Sequence, residues 1–460
     1  MAPRRSKLNY DGIKRILSTR GARVHFVGVG GVSMYSLARL ALRLGASVSG
    51  SDSVVSSRTK ELSLRGAKIF IGHDATNVNG ASLLVYSHAI SDKNPEMIAA
   101  QNMGIPAVSR AEILGTFMLS YKTRIGISGT HGKSTTVSML DSILCEALAQ
   151  PTTLSGAELQ NGEPIRVGRN DLLVYEACEY KDSFLSFSPS VAVALNMELD
   201  HTDYYKDIAQ MRNSYIKALD KAKDFAIVNY DDEQLLEIIP KLKCNTITFG
   251  QGERADWRYI ITAFLSEGME ITLYHHGVKA CKIPLKVAGV HNAQNAAAAA
   301  IIALELGIPE ETVCSALGSF KGVPRRLELV GSRQGRAVYY DYAHHPTEII
   351  AGINALRLIS KDEITVVFKP HTFSRTASFW AEFSAALSLA DHIVLTDIYP
   401  AREEPVAGVN SERLARDIGE RAHYSSDFDV CSVVDSLTSG TIVVMGAGDT
   451  EKIKNQLISK

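Results

Sequence analysis

The sequence predicts an α/β protein of three domains: a Rossmann-like N-terminal domain, a central P-loop ATPase-like domain with a parallel sheet and a small β-rich part, and a Rossmann-like C-terminal α/β domain. Three observations predict it. Residues 124–139, RIGISGTHGKSTTVSM, run from an apolar strand through a glycine-lysine-serine turn into a helical repeat of Val137, Leu140, Ile143 and Leu144. Residues 23–52 give strand, glycine turn, helix and a second strand ending at Asp52. Beyond residue 323, four apolar runs each end in a polar cluster, as a parallel sheet does at its ligand edge.

A chain of 460 residues has room for several cores. Its 45% hydrophobic and 22% charged residues are ordinary for a globular protein. A net charge of -1 gives no argument for a nucleic-acid or anionic-membrane partner. The six cysteines have no C-x-x-C spacing and read as small buried hydrophobes in a reducing compartment. The basic start, MAPRRSKLNYDGIKRIL, lacks the apolar run of a secretory leader, and AQNAAAAAIIALELG is too short and too polar to span a membrane. A soluble, cytoplasmic protein is expected.

In the first domain, residues 1–120, Val24, Phe26 and Val27 lead into Gly28, Gly30 and Gly31, and Asp52 follows about 20 positions on, as in dinucleotide-binding units. The third fingerprint glycine falls on Ser33, and the same geometry suits any pyrophosphate. Short strands at Lys68–Phe70, Leu83–Tyr86 and Pro106–Val108 continue the alternation.

The central domain, residues 121–322, opens with the phosphate loop. Gly129 and Gly132 let backbone approach an anion, Lys133 brings a charge to the β- and γ-phosphates, and Ser134 has a hydroxyl for Mg²⁺. The strict G-x-x-x-x-G-K-[ST] pattern is not met, since its first glycine falls on Ile127. Strands at Leu172–Tyr175 and Val191–Leu195 end at Glu176 and Asn196, which makes Glu176 and His201 candidates for the metal and the reacting carboxylate. Glu179, Glu198 and Asp203 stay open. Phe225–Asn229 is a further strand, and four segments within 243–288 read as short antiparallel strands. His291, Asn292 and Asn295 stand near a helix start, where hydrogen bonding to a base and helix capping have equal weight.

In the C-terminal domain, residues 323–460, strands end at Asp341-Tyr342-Ala343-His344-His345, at Lys369-Pro370-His371 with Arg375 close behind, at Asp397 and at Gly446. Four such ends on one edge favour a binding role over solvated surface.

The motifs HFVGVGGVSM, GTHGKSTT, EACEYKDSFL, LNMELDHTDYY, HNAQN, GVPRRLE, DYAHHPTE, PHTFSRT and DIYPAREEP together resemble those of the Mur ligase family across essentially the whole chain. The resemblance implies ATP and Mg²⁺ as cofactors. It implies a UDP-sugar held at Gly28, Gly30, Gly31 and Asp52, and ATP on Gly129, Thr130, His131, Gly132, Lys133, Ser134 and Thr135, with Mg²⁺ near Ser134, Glu176 and His201. His291, Asn292 and Asn295 match the adenine side, while Arg326 and Asp341 reach the nucleotide. Tyr342, His344, His371 and Arg375 face an incoming amino acid, and Lys133, Glu176, His201, His344 and Arg375 form the catalytic set.

The branch most resembled joins L-alanine to the lactyl carboxylate of UDP-N-acetylmuramate through an acyl phosphate, releasing ADP and phosphate in peptidoglycan precursor synthesis; the alternative is the branch that recycles murein peptides. A carbamoylated lysine used elsewhere in the family is not expected, because Tyr215 stands at its place and Lys217 is out of register. A nicotinamide oxidoreductase, suggested by the first domain alone, leaves the Gly-Lys-Ser loop without a role. A monomer or homodimer whose domains close on a hinge is expected, with no nucleic-acid or membrane partner.

Overall fold

The computed structural model describes residues 8–202, 204–265, 268–401, 403–437 and 440–458; Asp203 and Arg402, both within the motifs above, lie outside the described residues. The chain forms two compact units, one of residues 1–258 and 298–308, the other of residues 259–297 and 309–460.

The first unit holds two sheets. Strands β1 (Arg23–Val27), β2 (Ser47–Asp52), β3 (Lys68–Ile71), β4 (Leu83–Tyr86) and β5 (Ala107–Ser109) form a parallel sheet of order β3-β2-β1-β4-β5. Val24, Phe26 and Val27 are all fully buried, so both faces of β1 are covered, which explains an apolar run without alternation. The helix Val32–Arg43 turns Met34, Leu37, Ala38 and Ala41 inward. The order reverses at β1 and β4, and the crevice outside those strand ends is where such sheets bind ligands.

The second sheet takes β6 (Thr123–Ser128), β7 (Thr152–Leu154), β8 (Ile165–Arg166), β9 (Leu172–Glu176), β10 (Val191–Ala194), β11 (Phe225–Asn229) and β12 (Thr246–Gly250), in the order β12-β11-β10-β6-β9-β7-β8. Only the β7–β8 pair in this set is antiparallel. Gly126 on β6 faces Tyr175 on β9 in register, and a Cβ at Gly126 would lie 2.7 Å from the buried tyrosine hydroxyl. The expectation of antiparallel strands from residue 243 onward is corrected here. β12 runs parallel to β11, and Trp257–Arg258, the start of β13 (Trp257–Leu265), runs parallel to β12. The short helix Glu233–Leu236 lies between β11 and β12 and lets the chain cross back to the same end of the sheet.

In the second unit, β14 (Gly268–His275) and β15 (Val278–Leu285) make an antiparallel hairpin, so that part of the expectation holds. The remaining strands are β16 (Glu328–Arg333), β17 (Arg336–Asp341), β18 (Ile364–Lys369), β19 (His392–Leu395), β20 (Ala422–Tyr424) and β21 (Thr441–Gly446), in the order β16-β17-β21-β18-β19-β20. The four expected strands are its centre, with β18 and β21 buried along their whole length. The added edges are β16, antiparallel to β17, and the three-residue β20. Among the described residues, no helix is long and apolar enough to cross a membrane.

Candidate functional site

The phosphate loop is shaped by the strand beside it. β6 ends at Ser128, whose hydroxyl donates to the Val193 carbonyl at 2.6 Å. Gly129 (φ 147°) and Gly132 (φ 83°) adopt backbone that L side chains disfavour, and a Cβ at Gly129 would sit 3.0 Å from the Leu195 Cβ. The segment after β10 staples the loop. Asn196 Oδ1 accepts from the His131 amide at 2.8 Å, and its Nδ2 donates to the His131 carbonyl at 3.1 Å. The Glu198 amide donates to the Thr130 hydroxyl at 2.9 Å, and the Glu198 carboxylate lies 3.2 Å from His131 Nε2.

Lys133 begins the helix Lys133–Glu146, and its ammonium donates to the carbonyls of Gly129 and Thr130. It also lies 3.3 Å from Glu179, a carboxylate whose side chain is only 1% exposed. Burial lowers the lysine's proton affinity, but Glu179, Cys178 and Glu176 outweigh it, so its pKa is raised and the charge is secure.

Glu176 and Glu179 have different surroundings. Glu176 accepts from the Gly156 amide at 2.5 Å and the Ser155 hydroxyl at 3.2 Å. Glu179 lies between Lys133 and His201, whose Nε2 is 3.9 Å away. His201 has φ 53°, and its ring centroid lies 4.6 Å from that of Tyr180. The sequence leaves the role of Glu179 open. Its burial against the lysine could not be read from an acidic residue in a polar run.

A cavity of about 230 Å³ adjoins this loop, lined by Lys133, Ser155, Gly156, Tyr175, Glu176 and Cys178 on one side and by Ser33, Ser36, Leu37, Arg110 and Leu114 on the other. It thus joins the phosphate loop to the helix that follows the first glycine turn. That turn is closed from within. The Gly28 amide donates to the Ser51 carbonyl and the Gly30 amide to Asp52 Oδ2, both at 2.8 Å, so Asp52 braces the loop.

Below it, the fully buried Glu96 accepts from Ser51 at 2.7 Å and Asn77 at 2.6 Å. Burial raises its pKa, but the His25 ring 3.8 Å away and the hydrogen bonds from Asn77 and Ser51 prevail and hold it at about 2. Neither Glu96 nor Arg110 was singled out by the sequence. Arg110 stands two residues past an expected strand, but its place in the cavity, like the burial of Glu96, comes only from the fold.

In the second unit, Tyr342, His344, His371 and Arg375 converge. The His344 ring lies 5.2 Å from Tyr342 and 6.0 Å from His371, and Arg375 Nη1 is 3.4 Å from His371 Nδ1. Glu348 lies 3.2 Å from His344 Nδ1 and 3.8 Å from Arg326, whose guanidinium also stands over the Tyr342 ring. Asp341 accepts from the amides of Leu327 (3.1 Å) and Ala343 (2.8 Å). Burial pushes its pKa up to about 6 against the pull of Arg326. His291, Asn292 and Asn295 fall in the first turns of the helix Val290–Glu305. Asn292 Nδ2 donates to the Ala288 carbonyl at 2.6 Å, closing the preceding turn.

A phosphate loop with a carboxylate pair beside it in the first unit, and a doubly wound sheet in each unit, are the parts of a nucleotide-dependent α/β enzyme. Three family models match in succession: Mur ligase family, catalytic domain, over residues 23–122; Mur ligase middle domain over 127–303; and Mur ligase, glutamate ligase domain, over 325–448. The chain belongs to the Mur ligase family.

Among individual relatives, it is 41% identical to the UDP-N-acetylmuramate–L-alanine ligase of Clostridium kluyveri over 97% of this chain and 98% of that one. A UDP-N-acetylmuramate–alanine ligase structure from Thermotoga maritima superposes with TM-score 0.81 at 25% identity, covering 95% of this chain and 98% of that one. A murein peptide ligase from Psychrobacter arcticus shares the fold, with TM-score 0.73 at 22% identity and coverage of 95% and 98%.

Proposed function

We propose that the protein ligates L-alanine to the lactyl carboxylate of UDP-N-acetylmuramate with ATP, in the cytoplasm, as the alanine ligases it resembles are named to do. The observation that carries the chemistry is Lys133, held in the phosphate loop by two carbonyls and Glu179 and lining a cavity shared with Glu176.

A carboxylate does not condense with an amine in water unless it is activated. The lactyl carboxylate attacks the γ-phosphorus of ATP in line, giving an acyl phosphate and ADP; the neutral amine of alanine then attacks the acyl carbon and phosphate leaves. Lys133 and the amides of the loop meet the charge on the transferring phosphoryl group, and catalysis there is positioning and electrostatics.

The donor chemistry beside the phosphate loop suits a magnesium ion. The Ser134 hydroxyl, the carboxylates of Glu176 and Glu179 and the His201 imidazole are mostly hard oxygen donors around a phosphate loop. Bound there, Mg²⁺ supplies charge neutralisation to the phosphates. On this reading Glu179 both fixes Lys133 and orients His201. Gly28, Gly30, Gly31 and Asp52 hold the UDP-sugar; the glycine amides are bonded within the turn, so the glycines serve by leaving room for the ligand and Asp52 by fixing the turn's shape. Tyr342, His344, His371 and Arg375 receive the amino acid, and His201 or His344 accepts the ammonium proton. Arg326, Asp341, His291, Asn292 and Asn295 serve the nucleotide.

The test is ADP release by purified protein with ATP, Mg²⁺ and UDP-N-acetylmuramate, comparing L-alanine, the recycling tripeptide and no acceptor. Release that depends on L-alanine supports the reading. Release with the tripeptide alone moves the protein to the recycling branch.

A further inference from the structure

Arg110 has no part in the mechanism above, yet its surroundings are those of a ligand-binding group. It is the first residue of the helix Arg110–Met118, directly after β5, and so lies at the ligand edge of the first sheet. The helix start is fixed by a capping box: Ser109 Oγ accepts from the Glu112 amide at 3.2 Å and Glu112 Oε2 from the Ser109 amide at 2.6 Å. A cation in the first turn of a helix opposes the helix dipole, so local stability does not account for an arginine there.

The charges lining the cavity sharpen the point. Lys133 is paired with Glu179, and Glu176 is satisfied by Gly156 and Ser155. Arg110 is half-buried and lines the same cavity, and among the described residues its guanidinium has neither a hydrogen bond nor an ion pair. Leu37, Leu114 and Leu154 complete the wall around it and keep the local dielectric low. A planar guanidinium in such a wall suits a carboxylate, which it can grip through two parallel hydrogen bonds.

We propose that Arg110 binds the lactyl carboxylate of the nucleotide-sugar substrate and points it toward the phosphate loop. The assignment rests on the ligase reading. It makes Arg110 a substrate-binding residue whose contact is with the nucleophile itself, supplied from the first sheet rather than from the ATP-binding one.

Calorimetric titration of the full-length protein tests it, comparing UDP-N-acetylmuramate with UDP-N-acetylglucosamine, which keeps the nucleotide, diphosphate and sugar but lacks the lactyl group. The wild type should prefer the first. Arg110→Met should bind it at least about 30-fold more weakly and lose the preference, with no change toward the second ligand. Arg110→Lys should recover part of the preference and provides the reading should the methionine variant not fold. In turnover, KM for UDP-N-acetylmuramate should rise while KM for L-alanine does not. A preference that survives in Arg110→Met, or equal weakening toward both ligands, overturns the assignment; the latter result places the guanidinium on the diphosphate. A wild type with no preference at all counts against the ligase reading itself.

Discussion

The first unit contains two glycine turns of the same design, and they differ in the charge built around them. Both follow a buried parallel strand and open a helix, and both have a glycine at positive φ, Gly28 at 75° and Gly132 at 83°. The first has no lysine of its own: Asp52 takes the Gly30 amide, and Arg58, from the helix after the second strand, donates to the Gly30 carbonyl at 3.3 Å. The second carries Lys133 with Glu179 beneath it and Asn196 clamping its backbone. Moving a phosphoryl group calls for a fixed positive charge where charge develops, and only the second turn carries one in its own sequence.

That contrast breaks most sharply at Lys133. Lys133→Met should lower kcat for alanine-dependent ADP release by roughly 10³-fold or more while leaving UDP-sugar affinity unchanged, as steady-state kinetics and calorimetry will read. An equal loss of sugar affinity would mean that the two turns are not separate in function. Removing the support should do less: Glu179→Gln keeps the shape but withdraws the charge that holds Lys133 and His201, and kcat should drop roughly 10- to 100-fold. The turn without a lysine should respond in the other parameter. A Cβ in Gly30→Ala would come within 2.9 Å of Asp52 Oδ2, so KM for the UDP-sugar should rise about tenfold with kcat retained.

A third strand end, in the second unit, extends the comparison with a smaller effect. Asp341, like Asp52, ends a strand and accepts backbone amides, but burial raises its pKa to about 6. The folded state therefore holds this proton more tightly than the unfolded chain. The stability it contributes is complete below about pH 4 and is lost as pH rises through about 6. In Asp341→Asn the unfolding free energy from urea titration should fall less between pH 4 and 6 than in the wild type, by up to about 1 kcal/mol per pH unit. Parallel curves would show that the carboxyl titrates normally.

Much of this was legible in the residues. Apolar runs without alternation marked β1, β6, β10 and β18 because those strands are covered on both faces, and glycines marked the turns because they need positive φ. What stayed hidden depended on neighbours distant in sequence. β8 has two residues and β7 and β20 have three, too short for any period to show; β5, equally short, was legible only because it continues the alternation of strands and helices. The direction of β12 was set by a crossover rather than by its own pattern. Asp52 was legible as an acid in the right place, but its bond to Gly30 was not. Glu179 and Arg110 show the same limit, since one is defined by the lysine it meets and the other by a cavity to which two sheets contribute.

The contact between Gly126 and Tyr175 links two positions 49 residues apart as a single heritable unit. The phenol occupies the space where any side chain at 126 would begin, so that strand tolerates nothing larger than hydrogen while the tyrosine remains. Relatives with a larger residue at the position of Gly126 should therefore carry a smaller one at that of Tyr175. Substituting either alone in this chain should cost stability that the matched double exchange restores.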